Sequence, residues 1–354
     1  MINYGSAPAH DELEITIFGP GYGESIIVHL GEQNWLLIDS CIEPVSKTPA
    51  ALHYLSSIGV PLNNIGTIIA SHWHDDHVRG LAKVVESCIN ADFFLSGVFS
   101  NTELMAFLVA HSPETGAIQS GGTKELVKIF QSNNNKAIFT NQRTSILDKT
   151  ILGRQIKVTA FSPTQKAQSN MLLHLAEYIP KHDDPINHAP DSKPNLSAIV
   201  VHIDMGDDAI LLGSDLEDHG DIGWKGVLDK VWCTSKQKAS AYKVAHHGSV
   251  TAHRDEIWTK LLTDKPISLM TPFVRGNVSL PTNIDKDRIK SKSSFAFVSS
   301  TASKKPEMNS AIEKRLESMT TSLSKVNPGF GGIRLRKKLN TQWRAELFGR
   351  AEAL

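Results

Sequence analysis

Cysteine and long apolar runs are what this sequence has least of. Its 354 residues include only Cys41, Cys88 and Cys233, which stand far apart. An odd number at wide spacing argues against a disulfide framework and fits a reducing compartment. No apolar run approaches the roughly 20 residues that span a bilayer, and the N-terminal segment lacks the basic and apolar regions of a secretory signal. We therefore expect a cytoplasmic protein with no membrane association.

The sequence also has no net charge, because 37 Lys and Arg balance 37 Asp and Glu. This argues against a protein that coats nucleic acid over its whole surface. The balance is uneven along the chain, since residues 280–354 contain 15 basic and 7 acidic residues, a net charge of +8. Such a basic C-terminal quarter guides an anionic substrate, DNA or RNA included, or it is an ordinary solvated surface. The sequence leaves both interpretations open, as it does the oligomeric state.

Short β-branched runs alternate with helix-like segments over the whole chain, which predicts an α/β (α+β) sandwich. We expect a single domain over 1–354 with a helical and loop insertion at about 100–190. The expected strands are 13–18, 25–30, 35–39, 67–71, 156–161, 197–204, 209–215, 267–271, 295–300, 331–336 and 342–348, with one more beginning at 241. The expected helices lie near 48–58, 78–88, 102–111 and 122–132, and 178–195 is expected to be a loop.

Three of these strands run into loops that contain metal-ligand side chains. The side chains are His72, His74, Asp76 and His77 after the first strand, Asp215 after the second, and His246 and His247 after the third. Imidazole and carboxylate groups are the ligands that zinc takes. Buried together without a metal, they would leave polar groups and a carboxylate without partners. The sequence therefore predicts a metal site at one edge of the sandwich.

The spacing suggests how two ions are shared. His72 and His74 can bind one ion from one side, whereas Asp76 and His77 lie further along and can bind a second. Asp215 comes from another strand, and its two oxygens can bridge the pair. Two ions about 3.5–4 Å apart activate a water and stabilise a phosphoryl or acyl oxygen.

The segment SHWHDDH at 71–77 matches the H-x-H-x-D-H signature of the metallo-β-lactamase superfamily. More closely, the chain resembles the metallo-β-lactamase-like domain of ComEC-type competence proteins and their stand-alone relatives. The matching segments are GYGES (21–25), LLID (36–39), NLS (195–197), LLGSD (211–215) and HHGS (246–249). The resemblance implies an αββα sandwich with two divalent metal ions, Zn²⁺ or Mn²⁺, between its two sheets.

The resemblance also implies a role for each matched residue. His72 and His74 would hold the first ion, Asp76, His77 and His246 the second, with Asp215 bridging, Asp39 supporting the site and His247 facing the scissile group. Asn195 stands where many members of the superfamily have a third histidine for the first ion. His182, His188 or the Asn195 amide oxygen would then complete that ion's ligands, and an oxygen-rich site favours manganese or magnesium over zinc.

The leading hypothesis is a phosphodiesterase or nuclease that uses metal-activated water, with Asp76, His247 and Asn195 as catalytic residues. One alternative is a hydrolase of a small molecule, namely a cyclic nucleotide, a phosphocholine-like ester, a lactone or a thioester, with 100–190 roofing the pocket. Another is a non-catalytic metal-binding module. An open basic groove would favour the nuclease hypothesis, whereas a narrow roofed pocket would favour the hydrolase of a small molecule.

Overall fold

The structure is a computed structural model. It describes residues 2–19, 22–100, 121–132, 137–176, 194–231, 237–300, 315, 318–319 and 329–354. Among these residues, no helix combines the length and apolar character needed to cross a bilayer.

Two large sheets form the centre of the fold. The first has the order β17-β16-β1-β2-β3-β4-β5-β6. Its strands are β1 (Glu12–Gly19), β2 (Ser25–His29), β3 (Trp35–Ile38), β4 (Ile65–Ala70), β5 (Asp92–Ser96), β6 (Ala137–Thr140), β16 (Gly331–Lys338) and β17 (Arg344–Gly349). The strands β3 to β6 run parallel to one another, and the others pair antiparallel.

The second sheet has the order β18-β15-β12-β11-β10-β9-β8-β7. Its strands are β7 (Ser145–Ile151), β8 (Arg154–Ala160), β9 (Val201–Asp204), β10 (Ala209–Leu212), β11 (Ala239–Lys243), β12 (Leu262–Met270), β15 (Phe295–Val298) and β18 (Glu352–Ala353). The strands β10, β11, β12 and β15 are parallel. A separate two-stranded hairpin, β13 (Phe273–Arg275) and β14 (Val278–Leu280), follows β12.

Helices cover the outer face of each sheet. They are α1 (Ala50–Ser57), α2 (Asp75–Val78), α3 (Leu81–Ser87), α4 (Gly121–Gln131), α5 (Gln165–Ala176), α6 (Trp224–Val231) and α7 (Asn283–Ser291). Apolar residues of α1, α3 and α4 pack in one core on the first sheet, and residues of α6 and α7 pack in another on the second. A third core, made of strand residues, lies between the sheets. This four-layer arrangement confirms the αββα sandwich.

The region expected to form an insertion contributes strands to both sheets. Strand β6 forms an edge of the first sheet, and β7 and β8 form an edge of the second. Residues 137–160 of the predicted insertion thus supply strands to the two sheets, and the insertion itself stays a prediction. The helix expected at 102–111 and most of the loop expected at 178–195 lie outside the described residues.

Parallel strands place their carboxyl ends at one edge of the sandwich. The loop with the histidine motif follows β4, and the loops with Asp215 and with His246 and His247 follow β10 and β11. In parallel neighbours these ends lie side by side, so residues far apart in sequence meet at this edge.

Candidate metal centre

Four buried side chains meet where these loops converge. They are Asp76, His77, Asp215 and His247, whose potential ligand atoms all lie within 4.8 Å of one another. His77 Nε2 lies 3.3 Å from Asp215 Oδ2 and 3.6 Å from Asp76 Oδ2. His247 Nε2 lies 3.2 Å and 3.3 Å from the same two carboxylates. We call these four residues the site cluster.

The site cluster has the chemistry of a metal site. Within the described part of the chain, His77 Nε2 and Asp215 Oδ1 are buried without a hydrogen-bond partner. Burial alone would lower the pKa of each histidine, yet the Asp215 and Asp76 charges raise the pKa of His247 to about 9 and that of His77 well above its usual range. A divalent cation would satisfy the same carboxylates and take up the free nitrogen lone pairs. The residues therefore fit such an ion.

Asp39 orients the histidine at the centre of the cluster. Its Oδ2 accepts a hydrogen bond from His77 Nδ1 at 2.7 Å, which leaves Nε2 pointing to Asp76 and Asp215. The backbone N–H and the hydroxyl of Ser71 donate to the same carboxylate at 2.7 Å each. Carboxylates that hold the far nitrogen of a ligand histidine fix its ring and its tautomer. This arrangement agrees with the supporting role that the resemblance implies for Asp39.

Sequence reasoning missed two charged residues behind the cluster, Glu24 and Lys243. Both are fully buried, and Lys243 Nζ lies 2.7 Å from Glu24 Oε2 and 3.6 Å from Asp215 Oδ1. Thr271 Oγ1 also donates to Glu24 Oε2, at 2.6 Å. The available signal was their position: Glu24 stands in the glycine loop GYGES, and Lys243 ends an apolar strand just before the histidine pair.

The two histidines expected to bind the first ion lie beside the site cluster. His72 Nε2 is 3.1 Å from His74 Nδ1, and the His72 ring is 4.2 Å from that of His77. Burial and the neighbouring histidines hold the pKa of His72 well below its usual value. Its imidazole is therefore neutral at physiological pH, as a metal ligand must be.

The two histidines of the pair face different neighbours. His247 lies in the site cluster, whereas His246 is directed to Glu217 Oε1 at 3.2 Å and Thr251 Oγ1 at 2.9 Å. Both residues have a positive φ, +48° and +52°. Two successive left-handed residues turn the chain so sharply that spacing alone does not show which imidazole faces inward. The geometry favours His247, not His246, as the ligand.

Asn195 lies beside His246 rather than in the site cluster. Its amide nitrogen donates to Glu217 Oε1 at 3.2 Å and is 3.4 Å from His246 Nε2. The side-chain oxygen of Asn195, Oδ1, is buried and has no hydrogen-bond partner among the described residues. His182 and His188, the other candidates for the first ion, lie outside the described residues.

The basic C-terminal quarter is divided between buried and exposed residues where the structure describes it, and Lys290, Lys338, Arg344 and Arg350 are exposed. Arg334, Arg336 and Lys337 are buried and paired with Glu346, Glu14 and Asp208. These three basic residues lie in β16, so their positive charge stabilises the fold. Lys304, Lys305, Lys314 and Lys325 lie outside the described residues.

Residues 18–93 match the sequence profile described as Metallo-beta-lactamase superfamily. Three solved structures resemble the chain. They are the metallo-beta-lactamase fold protein YhfI from Bacillus subtilis (12% identity, TM-score 0.42, covering 81% of this chain and 95% of YhfI), the metallo-beta-lactamase SMB-1 bound to 2-mercaptoethanesulfonate (13%, 0.36, 72% and 87%) and the flavodiiron protein from Giardia intestinalis (14%, 0.28, 55% and 32%). No curated protein sequence matches the chain.

Proposed function

We propose that this chain is a metal-dependent hydrolase of phosphodiesters. Residues 18–93 match the metallo-β-lactamase superfamily profile, and they lie in an αββα sandwich. The single observation that carries the proposal is the site cluster, in which two buried carboxylates and two buried imidazoles converge within 4.8 Å. Burying these groups without a cation would be costly.

The chain offers ligands for two ions, Zn²⁺ or Mn²⁺. Asp76, His77, Asp215 and His247 would hold one of them, and His72 with His74 the other. When bound, divalent ions lower the pKa of a coordinated water to about 7 and neutralise charge on a phosphoryl oxygen. Asp39 and Lys243 would keep the ligand side chains in place, because each contacts a member of the site cluster.

In this proposal two polar groups beside the site cluster contact the substrate. Asn195 Nδ2 and His246 Nε2 lie 3.4 Å apart, and Glu217 Oε1 contacts both side chains. The His246 side chain is 19% exposed, so a substrate oxygen can reach this pair. In this proposal Asn195 binds a phosphoryl oxygen, as its place in the motif suggests, and His246 joins it.

The phosphodiester class rests on the ComEC-type motifs and on the charge near the site. Exposed arginines stand beside the histidine loop and on the β13–β14 hairpin, and their charge suits an anionic substrate such as a phosphodiester. DNA or RNA is the proposed polymer substrate. In this proposal the exposed arginines beside the site contact the phosphates, and the three buried basic residues of β16 do not.

Metal analysis with a substrate panel tests the proposal. We expect up to two divalent ions per chain, loss of at least one in His72→Ala, and a full complement in His253→Ala, a matched histidine outside the ligand set. DNA, RNA, cyclic nucleotides, a β-lactam and a thioester would be assayed with Mn²⁺ and with Zn²⁺. Turnover of the last two substrates alone, or a full metal content in a His72, His74 and Asp76 triple alanine variant, would overturn it.

A further inference from the structure

A row of rings leads from the site cluster to the surface. The Phe273 ring stacks on His247 at 5.2 Å between centroids, and the Tyr22 ring lies 5.6 Å beyond Phe273. The Arg79 guanidinium carbon lies 5.2 Å from the centroid of the Tyr22 ring. We call Tyr22 and Phe273 the aromatic rim. Both are partly exposed, unlike the fully buried apolar residues of the three cores.

The fold holds each half of the aromatic rim against the site. Phe273 begins the hairpin two residues after Thr271, whose carbonyl oxygen lies 3.1 Å from His247 Nδ1. Tyr22 precedes Gly23, which has a φ of +113° and no room for a Cβ, since one would lie 2.9 Å from Cys41 Cβ. The next backbone N–H, that of Glu24, donates to the Asp76 carbonyl oxygen at 2.9 Å. The rim is thus tied to two residues of the site cluster.

Positive charge flanks the aromatic rim on the solvent side. The Arg79 side chain is 51% exposed and forms an ion pair with Asp75. Arg275 lies on the same hairpin as Phe273 and is exposed. Burial and the charges of Asp75 and Asp76 raise the pKa of the Tyr22 phenol to about 12, and the charges of Arg275 and Arg79 act against that rise. The two guanidinium groups therefore lie near the Tyr22 ring together with two carboxylates, of which Asp75 is paired with Arg79.

We propose that the aromatic rim is a base-binding subsite, where Tyr22 and Phe273 stack on a nucleobase while Arg79 and Arg275 contact the phosphates beside it. The inference rests on the proposed function and names its substrate class, a single-stranded nucleic acid or nucleotide ester. Aromatic side chains beside a positively charged path are how proteins bind single strands without reading sequence. Bases inside a duplex stack on each other and are not available to the rim, so single strands are preferred.

Binding without turnover tests the subsite. A fluorescent oligothymidylate and an abasic oligomer with the same number of phosphates would be titrated with protein in EDTA, so that the result does not depend on cleavage. We expect wild-type protein to bind the oligothymidylate more tightly. Tyr22→Leu and Phe273→Leu should each weaken oligothymidylate binding about 5- to 100-fold and leave abasic binding within about twofold.

Phe295→Leu is the matched control. Phe295 is 63% exposed and begins β15, at the end of that parallel strand opposite the site edge. It should leave both affinities unchanged. Equal binding of the two oligomers by wild-type protein, or equal losses on both in the rim variants, would overturn the subsite.

An activity measurement separates this inference from the proposed function. Thymidine 5′-(p-nitrophenyl phosphate) and methyl p-nitrophenyl phosphate share a leaving group, and the second has a methyl group in place of the nucleoside. The rim variants should lower kcat/KM for the first ester about 5-fold or more and change the second little. Absence of turnover of both esters and of DNA, with base-dependent binding retained, would reject the hydrolase and keep the subsite. Turnover of both esters, with an equal loss of kcat/KM on both in the rim variants, would reject the subsite and keep the hydrolase.

Discussion

Two buried groups of charged side chains occupy this sandwich, and they are balanced in different ways. In the arginine cluster, formed by Glu14, Tyr54, Arg334 and Arg336, the Glu14 carboxylate accepts from Arg336 Nε and from the Tyr54 hydroxyl at 2.7 Å each. Its cations are guanidinium groups, which stay charged at every accessible pH. In the site cluster the groups facing Asp76 and Asp215 are imidazoles, which lose their charge near neutral pH.

The difference shows where a cation is needed. Around the metal centre, Glu24, Asp39, Asp76 and Asp215 are all buried, and Lys243 is the one permanently charged cation that contacts any of them in the described structure. Protonated histidines or divalent ions must supply the remaining positive charge. The arginine cluster stabilises the fold by itself, whereas the site cluster has its ligand atoms in place for an ion. Four predictions can break or sharpen this contrast.

Arg336→Met should give the largest change in stability. It leaves the fully buried Glu14 carboxylate without its guanidinium, and removing one partner of a buried ion pair costs about 3–5 kcal/mol. Urea denaturation should show this loss equally with and without metal, while turnover per folded molecule stays near the wild-type value. Arg344→Met is the control, since that side chain is 67% exposed and should change the free energy of unfolding by under about 0.5 kcal/mol. A loss of stability confined to the metal-free protein would mean that the arginine cluster and the site cluster are energetically coupled.

Asp215→Asn should act on turnover instead. The amide lacks the charge that would hold the ion between His77 and His247, and losing one such electrostatic group costs about 10²–10³-fold in kcat. Metal content should fall while circular dichroism shows an intact fold. Asp255→Asn, at a carboxylate that is 74% exposed, should change neither quantity. Wild-type turnover in Asp215→Asn would show that the loop after β10 is only structural.

The pH dependence of stability should also distinguish the site cluster from the arginine cluster. The pKa of His247 is raised above its unfolded value to about 9, so its contribution is fully present below about pH 6.5 and is lost as the pH rises through 9. In EDTA the free energy of unfolding should fall by up to about 3 kcal/mol over this window. With saturating Zn²⁺ the fall should disappear, because the ion replaces the protons. An identical pH slope with and without Zn²⁺ would refute the assignment.

Sequence patterns predicted the layers and the ligand-bearing loops better than they predicted which way individual side chains face. Strands were expected at 197–204, 209–215, 331–336 and 342–348, and the structure has β9, β10, β16 and β17 there, paired antiparallel in twos. The basic residues of 331–338 counted toward the charge of the C-terminal quarter, and period-two alternation could not reveal that β16 is buried on both faces. Spacing also could not show that His247 rather than His246 lies in the site cluster, because both residues have a positive φ. The β13–β14 hairpin is short and mostly exposed, so no hydrophobic pattern marks it.

Asp39→Asn should have the smallest effect, and it tests how the site cluster is held. Asp39 lies outside the site cluster, and its Oδ2 accepts a hydrogen bond from His77 Nδ1 at 2.7 Å. Loss of such a supporting carboxylate lowers metal affinity about 10- to 100-fold. Competition with a metal-binding dye would measure it, with Asp264→Asn, an exposed carboxylate in β12, as the control. Asp39→Asn should not affect the arginine cluster. In saturating Zn²⁺, Arg336→Met should therefore lower the free energy of unfolding by the same amount in the Asp39→Asn protein as in the wild-type protein. Unchanged affinity in Asp39→Asn would mean that the packing around the fully buried His77 ring, rather than its carboxylate partner, orients the ligand.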